Sequence, residues 1–219
     1  MKKEEILNDL NKYFNGRYIA DSDEIYKRIF NKTYKKNPDI SIEDLVYIKL
    51  MYYNYNHEIK QGEMIVNKDI FLDVIDIFSE LFYNEYEIYS VKLIDDLWQG
   101  DSLSSDKASM KANNCSSFNY RRILGKNYLS KHATGHAIDI NPVENPYIRF
   151  DENNQPIYDN LSDEEIYYAE NRNKNLKHVI THDDLAYKLF TEHNFEWGGD
   201  WNDPGDPKDY QHFEKIMKK

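Results

Sequence analysis

A chain of 219 residues with 39 acidic and 28 basic side chains, formal net charge −11, suits one domain with a core of its own. That acidic balance argues against nucleic acid or an anionic membrane surface as the main partner. The single cysteine, Cys115, excludes an intramolecular disulfide and any multi-cysteine zinc site, and it reads as a small buried residue. No apolar run approaches the roughly 18 residues of a membrane span, and Met1-Lys2-Lys3-Glu4-Glu5-Ile6 lacks the apolar region of a secretory signal.

Residues 3–15 place Ile6, Leu7, Leu10, Tyr13 and Phe14 at helical spacing, and 23–31 predicts a second short helix capped by Ser22 or Asp23. The Lys-Asn-Pro-Asp stretch within 34–41 reads as a linker, so 1–40 is expected as a helical extension ahead of a domain over 41–219. The β-forming residues of 45–55 predict a strand, with 62–67 as its antiparallel partner across an irregular turn. Ile70, Phe71, Val74, Ile75, Ile77, Phe78, Leu81 and Phe82 predict an amphipathic helix over 68–83, opened by Asn67. The chain then returns as a strand over 88–93. The polar stretch 98–114 is expected as a long surface loop with a binding role. A central strand is predicted at 137–140, a hairpin at 149–158, and a helix at 183–193 capped by Thr181. Strands close the chain near 195–197 and 212–216. Helices mixed with antiparallel strand pairs give an α+β class, a small antiparallel sheet flanked by helices.

The segment Ser130-Lys131-His132-Ala133-Thr134-Gly135-His136-Ala137-Ile138-Asp139 gathers a serine, two imidazoles and a carboxylate around one glycine. Two histidines and an aspartate can hold a zinc ion with one position open, and a further carboxylate can handle protons. His132 and Asp139 are seven apart and would face opposite sides of one continuous strand. Gly135 lets the backbone bend and bring both onto one metal. Asp139 sits in Ala-Ile-Asp-Ile, where burying an unpaired carboxylate is costly and a metal offsets the cost. Taken singly, His132 reads as a surface imidazole and Asp139 as a hydrogen-bonded side chain.

A third ligand must come from His57, His136, His178, His182, His193 or His212. His212 is best placed, in the β-forming run Tyr-Gln-His-Phe-Glu and three residues after Asp209. Asp209 then falls in the preceding turn, a good position for a general base. His136 reads as a structural or supporting neighbour.

These residues resemble the zinc peptidases that cut bacterial cell-wall peptides. That family includes D-alanyl-D-alanine dipeptidases and carboxypeptidases of the vancomycin-resistance type and L-alanyl-D-glutamate endopeptidases of phage lysins. Its signature Ser-x-His-x-x-Gly-x-Ala-x-Asp is matched by Ser130, His132, Gly135, Ala137 and Asp139. A second signature, an acidic residue three before the last histidine, is matched by Asp209 and His212. Many members carry Glu there, and aspartate is found in some phage-lysin-type endopeptidases. Trp197-Gly198-Gly199-Asp200-Trp201 is also similar to that branch.

The resemblance implies Zn2+ held by His132, Asp139 and His212, with Asp209 as general base and acid. Ser130 would contact the substrate or the ligand surroundings. The stretch Asn114–Arg121 resembles the one that supplies an arginine to the substrate carbonyl, and Arg121 matches better than Arg122. Ser117 and Trp201 are further expected substrate contacts. The implied fold is hedgehog/DD-peptidase-like.

The expected function is zinc-dependent hydrolysis of peptidoglycan stem peptides, foremost as an L-Ala-D-Glu endopeptidase. A D-Ala-D-Ala carboxypeptidase is the alternative, with 98–114 and 141–147 shaping a closed pocket and Arg121, Arg122 or Arg149 meeting the terminal carboxylate. A non-catalytic module binding cell-wall peptides is the reading of another class, disfavoured by the presence of both Asp209 and Arg121. The expected partners are peptidoglycan peptides, and the expected location is the cell wall or another extracytoplasmic site, given a leader that has been removed.

Overall fold

A computed structural model describes residues 2–123, 125–203 and 205–217. The first helical stretch is broken in two, α1 (Lys3–Leu7) and α2 (Leu10–Tyr13), at Asn8 and Asp9. Short polar side chains there compete for the backbone and disfavour a helix interior. The chain continues as a strand, β1 (Asn15–Tyr18), and then α3 (Glu24–Ile29), whose Asp23 cap accepts from the Ile25 amide.

Strands β2 (Leu45–Tyr53) and β3 (Ile59–Asn67) pair antiparallel from Leu45↔Asn67 to Tyr53↔Ile59, and β1 adds to the free edge of β2. Alternation along β2 sorts its side chains to two faces. Val46, Ile48 and Leu50 enter the main core with α4 (Phe71–Tyr83), whereas Leu45 and Tyr47 pack with Ile25, Ile29, Leu93 and Phe118. Residues 1–40 therefore contribute an edge strand, Ile6 and Phe14 to the main core, and α3 to the opposite face.

The segment expected as a loop over 98–114 is mostly a helix. Strand β4 (Ser90–Val91) pairs parallel with β5 (Asn114–Cys115), and between them runs α5 (Ser102–Lys111), capped by Asp101. Its buried residues are Ser105, Asp106 and Ser109, so burial there follows hydrogen bonding and leaves no apolar stripe to read. Cys115 is fully buried, as its composition suggested.

Strand β6 (Ala137–Asp139) leads to the expected hairpin, β7 (Tyr147–Phe150) with β8 (Pro156–Ile157). Helix α6 (Asp163–Glu170) was not expected; Ser162 and Glu165 form a capping box ahead of it. Helix α7 (Leu185–Glu192) is capped by Asp184, one turn later than Thr181. Strands β9 (Phe195–Trp197), β10 (Lys208–Asp209) and β11 (His212–Lys215) complete the chain. The last sheet has the order β6-β11-β9, so β11 and not β6 is its middle strand. Helices with small antiparallel sheets make the fold α+β. Among the described residues, no helix is long and apolar enough to cross a membrane.

Candidate metal centre and active site

The first ligand is placed by a tight turn. The Ser130 hydroxyl accepts from the His132 amide at 3.3 Å, opening a 3-10 turn over Lys131–Thr134. Gly135 ends it at φ +72°, and a Cβ there would stand 2.6 Å from the Asn67 amide nitrogen. Glycine is thus required both for the left-handed backbone and for the close approach. Asn67 fastens the turn to the end of β3, its amide donating to the Gly135 carbonyl at 2.9 Å and its side chain to that of Thr134 at 2.9 Å.

The other two ligands face each other across a ladder, because β11 and β6 pair with His212 opposite Asp139. His132 Nε2 lies 3.1 Å from His212 Nδ1 and 3.3 Å from Asp139 Oδ1, and His212 Nδ1 lies 3.1 Å from Asp139 Oδ1. A tetrahedral ion with bonds of about 2.0–2.1 Å has ligand-to-ligand edges of about 3.3–3.4 Å, close to this triangle. The outer ring nitrogens are occupied elsewhere. His132 Nδ1 donates to the Ser117 carbonyl at 2.6 Å, and His212 Nε2 to Glu214 Oε2 at 3.2 Å. Both rings therefore aim a lone pair inward, the arrangement of metal-bound histidines.

Electrostatics support the same reading. Burial alone would raise the Asp139 carboxyl, yet the two imidazoles hold it far below the usual carboxylate range. His212 is raised well above an ordinary imidazole by Asp139 and Glu214, against burial. The cluster demands positive charge, which a proton supplies in the metal-free protein and which a divalent cation can supply instead. Donor set, spacing and charge all fit a divalent metal, and the three residues are the metal-capable group found among the described residues.

Asp209 lies on β10, directly across from Tyr147 on β7, so the two side chains stand on one face. Its Oδ1 is enclosed and has no hydrogen-bond partner among the described residues. Burial pushes its pKa up against the pull of His212, and Asp139 adds to the rise. The Tyr147 phenol is raised by burial and by Asp209, while Arg149 and Arg121 act in the opposite sense, which puts it within electrostatic reach of both Asp209 and Arg121. Gly198 packs on Asp209: a Cβ there would meet the Asp209 carbonyl oxygen at 2.5 Å. The Trp201 ring centroid lies 5.4 Å from that of His212.

The remaining expected contacts are mostly engaged within the protein. Arg121 Nη2 pairs with Asp106 Oδ2 at 2.8 Å, while its Nε is buried without a partner among the described residues. Arg122 is bonded to Asn127. The buried Ser117 hydroxyl donates to the Ala137 carbonyl at 2.7 Å, and Ser130 serves as the turn cap. His136 is buried, with Nδ1 against Thr134 Oγ1 at 2.9 Å.

Three supporting residues escaped the sequence reading. Glu214 had a signal, since residues two apart on a strand share a face and His212 was already singled out. Asp106 and Lys208 had none, because each acts on a residue distant in sequence or on backbone carbonyls.

Residues 124–215 match the family model described as D-alanyl-D-alanine carboxypeptidase. The matched segment is somewhat less than half of the chain, and over it the chain is similar to that peptidase family. The matched segment holds His132, Asp139, Asp209 and His212 and the Trp197–Trp201 motif; Ser117 and Arg121 precede it. No curated protein and no solved structure matches the chain.

Proposed function

We propose that the protein is a zinc-dependent peptidase that cuts peptidoglycan stem peptides at the L-Ala–D-Glu bond. The observation that carries the reading is the buried triangle of His132, Asp139 and His212, with the enclosed Asp209 carboxylate, whose Oδ1 has no partner among the described residues, within electrostatic reach of all three. A zinc ion held by the three would supply Lewis acidity toward the scissile carbonyl and would acidify a water molecule. Asp209 takes the proton of the attacking water and returns it to the leaving amine, and its burial makes it a stronger base than a solvated aspartate. Arg121, whose Nε has no protein partner among the described residues, is the donor toward the developing oxyanion. Glu214 and the Ser117 carbonyl fix the two imidazoles, and Trp201 shields the His212 side of the site. A hedgehog/DD-peptidase-like fold and a cell-wall location belong to the same reading.

The choice of bond rests on Asp209 in place of glutamate, on Trp197-Gly198-Gly199-Asp200-Trp201, and on the cations. A carboxypeptidase must neutralise a terminal carboxylate, yet Arg122 is bonded to Asn127, and the Arg121 charge is already balanced by Asp106, which leaves its Nε for the oxyanion and no net charge for a second carboxylate. Only Arg149 of the three candidates is left. The family description favours the second reading, a D-Ala-D-Ala carboxypeptidase.

Mass spectrometry of stem peptides incubated with zinc-loaded protein, beside a chelated control, tests the proposal. Metal-dependent release of L-Ala supports the endopeptidase, and release of D-Ala instead supports the carboxypeptidase. No metal-dependent product, with stem peptides still bound, would overturn catalysis in favour of a binding module. Asp209→Ala should keep metal and lose cleavage, whereas His132→Ala should lose both.

A further inference from the structure

A cleft of the molecule lies away from the metal centre. It holds about 530 Å³ and is bounded by the β2–β3 hairpin end (Asn54, Asn56, Gln61), by Tyr55 and Tyr89, and by Lys92. That volume is in the range of small-ligand sites, roughly 300–1,000 Å³. None of its lining residues is a metal ligand, the base, or a residue holding either.

Its chemistry differs from the rest of the surface. The chain carries 39 acidic against 28 basic side chains, yet the lining of this cleft contains Lys60 and Lys92 and no carboxylate. Lys60 is paired with Glu58 at 2.9 Å, but the Lys92 ammonium has no ion-pair partner among the described residues. The side-chain amides of Asn56 and Gln61 are likewise without protein hydrogen bonds among the described residues. Nearby polar groups, by contrast, are engaged: Ser90 Oγ donates to Asn114 Oδ1 at 3.2 Å, and Asn54 Oδ1 accepts the Asn56 and Glu58 amides. Tyr89 is 51% exposed and stands edge-on to Tyr55, ring centroids 5.2 Å apart. Tyr55 is held in turn by stacking on His178 at 3.6 Å. A rigid aromatic pair, free amides and one free ammonium suit a ligand with apolar ring faces, hydroxyls or amides, and a negative charge.

We propose that this cleft is a second binding site, for a glycan strand whose sugars bear carboxylates. The choice of ligand rests on the peptidoglycan reading above, since such a strand is the polymer from which stem peptides hang, with a free carboxylate on each sugar that carries no peptide. Tyr89 presents a face to a sugar ring, Asn56 and Gln61 meet its hydroxyl and amide groups, and Lys92 meets its carboxylate. The cleft is also tied to the metal centre. Ser90 pairs with Asn114, and Ser116, two residues on, bridges Asp139. Two strand spacings of about 4.8 Å put the lateral separation on the order of 10 Å. One polymer can therefore engage both sites, and holding the strand raises the local concentration of its peptides at the metal centre.

Calorimetric titration of the full-length protein with peptide-free glycan strands, paired with amide chemical-shift mapping, tests the site. Expected are binding by the native protein, shifts centred on Tyr89 and Lys92, and affinity about tenfold weaker in Tyr89→Ala and in Lys92→Glu. Both side chains are at the surface, and an unchanged melting temperature verifies the fold of each variant. Uncharged chito-oligosaccharides should bind more weakly than the carboxylate-bearing strands. Absence of binding, shifts elsewhere, or variants that bind as tightly as the native protein would overturn the proposal, and equal binding of acetate alone would replace it with a plain anion site. Hydrolysis of soluble stem peptides, measured beside it, judges the peptidase reading separately, because neither substitution touches the metal centre.

Discussion

Glu214 Oε2 accepts the Nε2 proton of His212 at 3.2 Å, which turns Nδ1 of the same ring toward Asp139 and His132. The carboxylate fixes both the tautomer and the angle of a ligand it does not share. Glu214→Gln should weaken metal binding by about 10- to 100-fold while leaving the metal-free protein's melting temperature nearly unchanged. Competition with a chromogenic chelator measures this, and unchanged affinity would remove Glu214 from the site.

Gly198 offers no room for a methyl group, since a Cβ would meet the Asp209 carbonyl oxygen at 2.5 Å and its Cβ at 2.8 Å. Backbone must yield, so Gly198→Ala should displace the base. We expect turnover to fall about 100-fold, as for other displacements near 1 Å, with a stability loss of about 1–3 kcal/mol. Metal affinity should hold, because no ligand moves. A variant with native turnover would show that Asp209 is not the base.

Lys208 gathers the loop that carries Trp201. Its ammonium donates to the Gly199 carbonyl at 3.1 Å, to Asn202 Oδ1 at 2.7 Å, and to the Trp201 carbonyl. All three N–H donors are used. In Lys208→Met the loop should loosen and Trp201 should leave His212. Expected are a several-fold rise in KM with metal content unchanged, and reduced quenching of Trp201 emission by Co2+ in the site. Quenching equal to that of the native protein would refute the tether.

Away from the candidate metal centre, Glu87 should contribute to acid sensitivity. Burial would raise its pKa, but Lys177, His178 and His57 overcome that and bring it to about 2 from 4.5. Such a depressed carboxyl stabilises the fold above pH 4.5 and loses that contribution as pH falls toward 2. His178 is shifted below 6.5 by burial, with Glu87 opposing, so its protonation also favours unfolding once pH drops below 6.5. Glu87→Gln should therefore be less stable at neutral pH and show a flatter decline between pH 4.5 and 2. Urea midpoints across that range provide the measurement.

The clustering of His132, Asp139 and His212 was legible because these residues are of rare, chemically committed types in a fixed order, and Gly135 announced the bend that joins His132 to Asp139. The β2–β3 hairpin and α4 were legible because their apolar residues follow the period of the element. Helix α5 was not, since it buries Ser105, Asp106 and Ser109 and so carries no apolar stripe. Helix α6 did leave a mark, the Ser162-x-x-Glu165 capping box, which was available and passed over. The ion pair of Arg121 with Asp106 joins two segments whose partnership no local pattern encodes.

His212 and Asp139 sit opposite each other in a backbone ladder that β9 extends on its far side. Their spacing is thus a property of main-chain pairing, complete before any ion arrives. An ion held there would be a guest in a finished room, unlike the metal of a zinc finger, around which the chain must first condense. Chelation should lower the melting temperature and leave the secondary structure in place. Cobalt or nickel should then refill the site directly, without a refolding step.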